Sequence, residues 1–210
     1  MKKLLYTLTA GILLLVTSLA NAASIDIDFT VDGDTYTQPW SITNNSTNGI
    51  LLESFVFDLR PLLTYCYDLD SSDCNSSAGT LFSANSGATS TGYVNSVVSN
   101  EPGGVDFNDV LEMNFNDFGE GETFSWLIDV DSLNDFSVFG NELIGSTAYA
   151  TMSNGRVYFG TLEGIIGNDD ASRFVISDSY NVSVSEPATL VLFGLGLMAF
   201  GARRLRLNNN

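Results

Sequence analysis

The apolar residues in the central part of this chain recur at every second position. Over residues 24–32 polar side chains alternate with Ile25, Ile27, Phe29 and Val31. The same alternation returns over residues 111–115, 124–130 and 174–184. A period of two places apolar side chains on one face of a strand and polar ones on the other. Repeated short strands without a convincing amphipathic helix predict an all-β fold, a single β-sandwich that is immunoglobulin-like or jelly-roll-like.

A turn signal, the dipeptide Asp32-Gly33, follows the first of these strands. Asp-Gly favours the two-residue turns of β-hairpins, because these turns need residues that tolerate positive φ. Such a turn would pair Phe29 with Tyr36 across the hairpin. We therefore expect Tyr36 on the apolar face of the sheet.

The dipeptide Asn154-Gly155 is the strongest turn signal in the chain. At the centre of a type I′ turn it fixes the register of a hairpin. The expected pairs are Met152 with Val157 and Ala150 with Phe159. In this register Phe159 faces the core, whereas Tyr149 and Tyr158 lie on the opposite face of the sheet.

Residues 60–109 differ in composition from the strands on either side. Ser, Asn, Gly and Asp dominate residues 70–90, and Glu101-Pro102-Gly103-Gly104 interrupts the chain again. These residue types favour turns and loops. We expect a long loop region here, with two short strands near residues 80–82 and 92–98.

The first 22 residues have the three parts of a secretory signal peptide. Lys2 and Lys3 form a basic start, residues 4–16 are apolar, and Ala20-Asn21-Ala22 is a cleavage motif of the A-x-A type. The mature chain is therefore expected to begin near Ala23. The functional consequence is export across a membrane.

The last 26 residues combine an acidic-proline motif, an apolar run and a basic end. The motif is Ser185-Glu186-Pro187-Ala188, and the 15 residues 188–202 carry no charge. This run is shorter than the roughly 20 residues that span a bilayer, but arginine side chains extend to the membrane surface and lengthen the effective span. The basic end, expected on the cytoplasmic side, consists of Arg203, Arg204 and Arg206. A buried core helix or a plain tail anchor is the alternative.

This tail resembles the PEP-CTERM sorting signal of Gram-negative bacteria, with Ser185 where that family usually has proline. The resemblance implies processing near Glu186-Pro187 by an exosortase, after residues 188–202 have entered the inner membrane as a transient transmembrane helix. It also implies a final location at the cell surface or in the extracellular matrix, in association with exopolysaccharide and biofilm. The expected organisation is a signal peptide at 1–22, a β-sandwich ectodomain at 23–184 and a sorting signal at 185–210.

The predicted ectodomain is strongly acidic. All 25 acidic residues lie from Asp26 to Glu186, whereas the basic residues outside the terminal segments are Arg60, Arg156 and Arg173, so the net charge of the mature part is −22. Such a field repels phosphate backbones, which argues against a nucleic-acid partner. The chain is not a disordered acidic tail, because its 14 Phe and 8 Tyr residues can supply the core of one domain.

The chain contains two cysteines, Cys66 and Cys74. In an exported protein an even number of cysteines indicates a disulfide, here one that closes a small loop. Two free buried thiols are the alternative. A structural zinc site is excluded, because the chain has no histidine and two cysteines do not supply four ligands.

Three aspartate clusters have a spacing that suits calcium, which takes six to eight oxygen ligands. The clusters are Asp26/Asp28/Asp32/Asp34, Asp68/Asp70/Asp73 and Asp129/Asp131/Asp135 with Asn134. None of them has the glycine and the distal glutamate of an EF-hand. Alternating aspartates are also the ordinary solvated face of a strand, which accounts for Asp26 and Asp28. The third cluster stands at a strand end and is the candidate for one structural calcium, with ligands Asp129, Asp131, Asn134 and Asp135.

The sequence predicts a protein that is not an enzyme. Without histidine, serine and cysteine triads and zinc hydrolase sites are excluded. Paired carboxylates can hydrolyse glycosides, but in so acidic a chain some pair falls at a suitable distance by chance. We expect a structural or adhesive component of the cell surface, with no cofactor unless calcium is bound. The alternative is a lectin-like module that binds carbohydrate or calcium, with Tyr149 and Tyr158 as an aromatic platform.

Overall fold

The computed structural model describes residues 23–69, 74, 79–100, 108–134 and 136–180. Residues 23–180 form one compact unit. A second unit comprises residues 1–22 and 181–210, and it lies outside the described residues, as do the predicted signal peptide and sorting tail. Within the described ranges the regular structure consists of β-strands and two short 3₁₀ turns, without an α-helix. The predicted all-β class is therefore confirmed.

Thirteen strands follow one another along the described part of the chain. They are β1 (Ala23–Asp32), β2 (Trp40–Asn44), β3 (Leu52–Asp58), β4 (Tyr65–Tyr67), β5 (Ser83–Ser86), β6 (Tyr93–Ser99), β7 (Val110–Phe118), β8 (Glu122–Leu127), β9 (Val130–Ser132), β10 (Thr147–Met152), β11 (Val157–Thr161), β12 (Glu163–Ile165) and β13 (Asn168–Tyr180). The 3₁₀ turns are Arg60–Leu62 and Gly140–Leu143.

The strands form two large antiparallel sheets that pack face to face. The six-stranded sheet has the order β12-β13-β1-β2-β8-β5, and the five-stranded sheet has the order β11-β10-β3-β7-β6. A separate pair, β4-β9, completes the structure. Each sheet contributes one apolar face to a shared core, which is the arrangement that alternating strands require.

The first and last strands of the domain lie side by side in the six-stranded sheet. β1 and β13 pair over ten residues in unbroken register, from Ala23 opposite Tyr180 to Asp32 opposite Ala171. The predicted alternation of β1 is confirmed, since its four apolar side chains are buried. The last strand begins at Asn168, six residues before the expected start, and residues 181–184 of the prediction lie outside the described residues.

Aromatic rings fill the space between the two sheets. The Phe29 ring of β1 lies 4.9 Å from Phe55 and 5.2 Å from Phe57 on the opposing sheet, measured between ring centroids. Within its own sheet it stacks on Trp126 at 5.8 Å, and Trp126 pairs in register with Trp40. Ring contacts of this kind add about 0.5–1.5 kcal/mol per pair to the burial of apolar area. The aromatic residues of the sequence therefore form the core that the composition predicts.

The prediction of a two-residue hairpin turn at Asp32-Gly33 is wrong. Phe29 pairs with Ile42 and not with Tyr36, and a seven-residue connection, 33–39, joins β1 to β2. Asp34 organises this connection, because its carboxylate accepts a hydrogen bond from the Tyr36 N–H at 2.9 Å. An aspartate that bonds two residues ahead stabilises a local turn and competes with a tight hairpin. Tyr36 is consequently exposed.

The hairpin at Asn154-Gly155 exists, but its turn differs from the predicted one. The Gly155 N–H donates to Met152 O at 2.8 Å, and the Met152 N–H donates to Arg156 O at 2.9 Å. Gly155 has φ +77°, whereas Asn154 does not adopt positive φ. These bonds define a three-residue loop, a type I turn followed by a glycine bulge, instead of a two-residue type I′ loop.

The longer loop shifts the strand register by one residue. Ala150 pairs with Tyr158 and Tyr149 pairs with Phe159, so the predicted register is wrong. A shift by one residue turns every side chain of a strand to the other face. Val157 and Phe159 are therefore exposed, and Tyr158 packs against the core.

The expected loop region contains more strand than its composition suggests. β6 matches the strand predicted near residues 92–98, whereas β5 begins at Ser83, just after the strand predicted at 80–82. β5 is exposed along its whole length and pairs with β8 at the sheet edge. Its polar sequence carries no apolar alternation, because an edge strand without a buried face does not need one.

Candidate functional site

Three aspartates converge in the interior of the domain beside the pair β4-β9. Asp68 follows β4, Asp129 precedes β9 and Asp131 lies within β9. Their exposed fractions are 0%, 2% and 1% respectively. One carboxylate oxygen from each lies within 4.8 Å of the other two. Buried carboxylates so close together are uncommon, because each charge loses its hydration and repels the next.

Backbone pairing holds these aspartates in place. Cys66 of β4 pairs with Asp131 of β9, and the Asp68 N–H donates to Asp129 O at 3.1 Å. Because the two strands run antiparallel, residues at the end of one meet residues at the start of the other. The three carboxylates thus come from two segments, at residue 68 and at residues 129–131, that are far apart in the sequence.

A disulfide closes the loop beside this cluster. Cys66 and Cys74 are bonded, with their Cα atoms 5.9 Å apart, so the predicted disulfide is confirmed. Gly79 also lies against Asp68, where a Cβ atom would overlap the Asp68 carbonyl group. The glycine and the disulfide together allow the chain to pass close to the buried aspartates.

The environment of Asp129 disfavours the ionised form of its carboxyl. Burial, and then the charges of Asp131 and Asp68, together raise the pKa of its carboxyl from 3.8 to about 7. The Thr35 hydroxyl lies 3.4 Å from Asp129 Oδ1 and lowers the pKa slightly. Near neutral pH this group of carboxylates can therefore take up either a proton or a cation.

The predicted calcium ligands divide into three groups. Asp129 and Asp131 lie together as expected, but their neighbour is Asp68, which the sequence placed in another cluster. Asn134 is exposed in the turn after β9, where its N–H bonds to Ser132 Oγ at 3.3 Å. Asp135 lies outside the described residues. The sequence alone did not group Asp68 with Asp131, because the pairing of β4 with β9 brings them together. Neither of these three-residue strands has a pattern that reveals its partner.

The predicted aromatic platform is rearranged by the register of β10 and β11. Tyr149 lies on the outer face as expected, and its ring centroid is 6.2 Å from that of Phe159. Phe159, predicted to be buried, is 74% exposed. Tyr158 packs against the core instead of facing outward. The aromatic pair on the outer face is therefore the half-buried Tyr149 and the exposed Phe159.

The processing residues predicted from the sequence lie outside the described residues. They are Ser185, Glu186, Pro187 and Ala188, with the basic residues Arg203, Arg204 and Arg206. Among the described residues, no helix has the length and apolar character to cross a bilayer.

Comparison with known proteins shows that the family model of the PEP-CTERM protein-sorting motif matches residues 183–206. No curated protein and no solved structure matches the chain. The matched residues contain the acidic-proline motif, the apolar run and the three arginines. They begin three residues after the end of β13, so the motif follows the β domain directly. The chain thus carries a PEP-CTERM sorting motif behind an all-β domain, which indicates an exported protein that is sorted by an exosortase.

Proposed function

We propose that this protein is a structural or adhesive component of the cell surface or extracellular matrix, and that it associates there with exopolysaccharide. The observation that carries the proposal is the sorting motif at residues 183–206, placed after a compact β domain with a continuous apolar core. The disulfide Cys66–Cys74 suits an oxidising location outside the cytoplasm. A rigid domain exported in this way is suited to binding and scaffolding.

The proposed role is non-catalytic. The chain has no histidine, which removes the usual general base of hydrolases. A glycosidase needs two carboxyl groups in contact with the sugar. The tightest carboxylate group of the described residues, Asp68, Asp129 and Asp131, is enclosed and out of reach of a polymer.

Delivery is proposed to proceed through a transient membrane stage. Residues 188–202 hold the chain in the inner membrane, Arg203, Arg204 and Arg206 stop its passage, and an exosortase cuts near Glu186-Pro187. The apolar run is long enough for a transient span when flanking arginines reach the interface. Proline keeps the cleavage segment extended and accessible.

The C-terminal peptide of the protein recovered from the cell surface tests this route. Mass spectrometry should find a chain that ends near Glu186 and lacks residues 203–210. Replacing the three tail arginines by serine should leave the protein unprocessed, whereas Arg156→Ser in the β domain should be processed normally. A surface protein that retains residues 203–210 would show a permanent anchor and refute the route.

The matrix association has a separate test in cells that differ only in polysaccharide synthesis. With the polymer present, the protein should sediment with the extracellular matrix and be released by enzymes that degrade the polymer. Without the polymer, it should appear in the culture medium. An equal distribution in the two strains would refute the association and leave the sorting route untouched.

Calcium binding is the second candidate function, and the aspartate cluster favours it. Asp68, Asp129 and Asp131 offer at least three carboxylate oxygens within 4.8 Å, which matches the hard oxygen ligands that calcium prefers. A bound cation would compensate the charges that burial brings together. The proposed ligands keep Asp129 and Asp131 of the sequence-based set and add Asp68, whereas Asn134 is exposed after β9 and Asp135 lies outside the described residues.

Thermal unfolding of the EDTA-treated protein tests calcium binding. Millimolar calcium should raise the melting temperature of the wild type, because a ligand that binds only the folded state stabilises it. Asp131→Asn should reduce this increase, whereas Asp169→Asn, which removes an exposed carboxyl at the start of β13, should preserve it. An unchanged melting temperature of the wild type would rule out a calcium site in the domain.

A further inference from the structure

A cleft of about 610 Å³ opens at the edge of the domain where β11 leads into β12. Its walls come from β11, β12 and β13, so both large sheets contribute to it. Leu162 joins β11 to β12 and is buried, which fixes the crossing between the sheets. Clefts of this volume hold small ligands or a few sugar units.

The cleft exists because β12 covers only part of its neighbour. β12 pairs with β13 as far as Arg173, and beyond that residue the same edge of β13 is not paired with a strand of the described chain. In β11, Gly160 lies against the buried ring of Phe174, where a Cβ atom would be 2.8 Å from Phe174 Cε2. Glycine at this position lets β11 pack closely on the Phe174 ring, which lines the cleft.

An exposed aromatic ring forms one wall of the cleft. Phe159 is 74% exposed although phenylalanine is among the residues most often buried. Tyr149 supports it from the neighbouring strand, and Ile166, which also lines the cleft, is fully exposed. An aromatic face of this kind packs well against the C–H face of a sugar ring.

Two oppositely charged side chains lie beside the aromatic wall. Glu163 and Arg173 are partners in the register of β12 and β13, and both line the cleft. The salt bridge of the described residues joins Arg60 to Asp58 at 2.7 Å, and the side chains of Glu163 and Arg173 do not form one. The carboxylate can only accept hydrogen bonds and the guanidinium can only donate them. Their charges cancel, which leaves a polar but locally neutral rim.

We infer that this cleft binds a neutral polysaccharide, with Phe159 stacking on a sugar ring and with Glu163 and Arg173 bonding to its hydroxyl groups. The inference rests on the proposed association with exopolysaccharide and adds a location and a chemical class. Sugar hydroxyls both donate and accept, which matches a carboxylate next to a guanidinium. An apolar wall with a few polar groups is the usual composition of a small-ligand site.

The charge of the domain favours a neutral polymer over an acidic one. The mature part carries a net charge of −22, which repels a polymer of uronic acids. A peptide strand added to the edge of β11 would use backbone groups and would not need the Phe159 ring or the Arg173 guanidinium. Substitutions of these two side chains therefore separate the polysaccharide from a peptide partner.

Titration calorimetry of the exported protein against a soluble neutral glucan tests the inference. Phe159→Ala and Arg173→Gln should each weaken binding about tenfold, since each removes a stacking or hydrogen-bonding contact. Phe136→Ala and Arg156→Gln are the matched controls, because both residues are exposed and lie outside the cleft. These controls should bind as tightly as the wild type.

The outcomes distinguish this inference from the proposed function. If the wild type binds the glucan and both cleft variants bind it equally well, the site is elsewhere and the association stands. If the wild type binds alginate but no neutral glucan, the inferred chemical class is wrong. If it binds neither polymer and is also absent from the matrix fraction of cells, the cleft and the proposed association both fail.

Discussion

The substitution Asp129→Asn addresses the most unusual group of the domain. It replaces a buried carboxyl, whose pKa burial and the neighbouring charges of Asp131 and Asp68 raise to about 7, with a neutral amide of the same shape. The chain has no histidine, so no other side chain has an ordinary pKa between pH 5 and 8. A pH dependence of stability in this window that Asp129→Asn removes therefore reports on Asp129.

The expected magnitude follows from the shift of the pKa. Because the folded-state pKa of Asp129 rises from 3.8 to about 7, the proton binds the folded form more tightly. The stabilisation is complete below the unfolded value and is lost as pH rises through the folded value. Between pH 5 and pH 8 full linkage gives a loss of about 2.5 kcal/mol in the free energy of unfolding, and solvent screening reduces this to about 1–2 kcal/mol.

Urea unfolding in EDTA at pH 5, 6.5 and 8 measures this effect. The wild type should lose stability across the series, whereas Asp129→Asn should be nearly independent of pH. Asp169→Asn removes an exposed carboxyl and should keep the wild-type slope. Equal stability of the wild type at pH 5 and pH 8 would contradict the raised pKa and the electrostatic reasoning behind it.

Three further substitutions test the packing and the turns. Trp126→Ala should lower the free energy of unfolding in urea by about 3–5 kcal/mol, because the ring is fully buried among aromatic neighbours. A loss no larger than that caused by Phe136→Ala, at an exposed residue, would contradict the place of Trp126 in the core. Replacing Cys66 and Cys74 by serine should cost about 2–3 kcal/mol through the released loop, and a reducing agent should destabilise the wild type but not this variant. Gly155→Ala should cost about 1 kcal/mol, because Gly155 has φ +77°; an unchanged urea midpoint would argue against the bulged turn.

The strands with a buried face were predictable from the sequence, and their partners were not. The alternation in β1 is visible because its side chains face the core and solvent in turn. The register of β10 and β11 was missed, because Asn154-Gly155 suits both a two-residue loop and a three-residue bulged loop. One residue of loop length decides which side of the sheet Phe159 occupies.

The candidate sites depend even more on strand pairing, which the sequence does not reveal. The sequence grouped aspartates by their distance along the chain, whereas the domain groups Asp68 with Asp131 through the pairing of β4 and β9. Phe159 was expected in the core, and its exposure becomes apparent only from the observed register. The sorting motif was found because all its information lies in consecutive residues.

The pairing of β1 with β13 has a consequence for the timing of folding during export. A chain that crosses a membrane from its N-terminus delivers β1 early, but the central pairing from Ala23 to Tyr180 cannot form until the last strand has emerged. Long-range strand pairing is slow to form, which leaves the chain extended during translocation. The sheet can close only when β13 has emerged, and the sorting motif at residues 183–206 follows immediately. This strand order therefore delays completion of the six-stranded sheet until translocation of the domain is nearly complete.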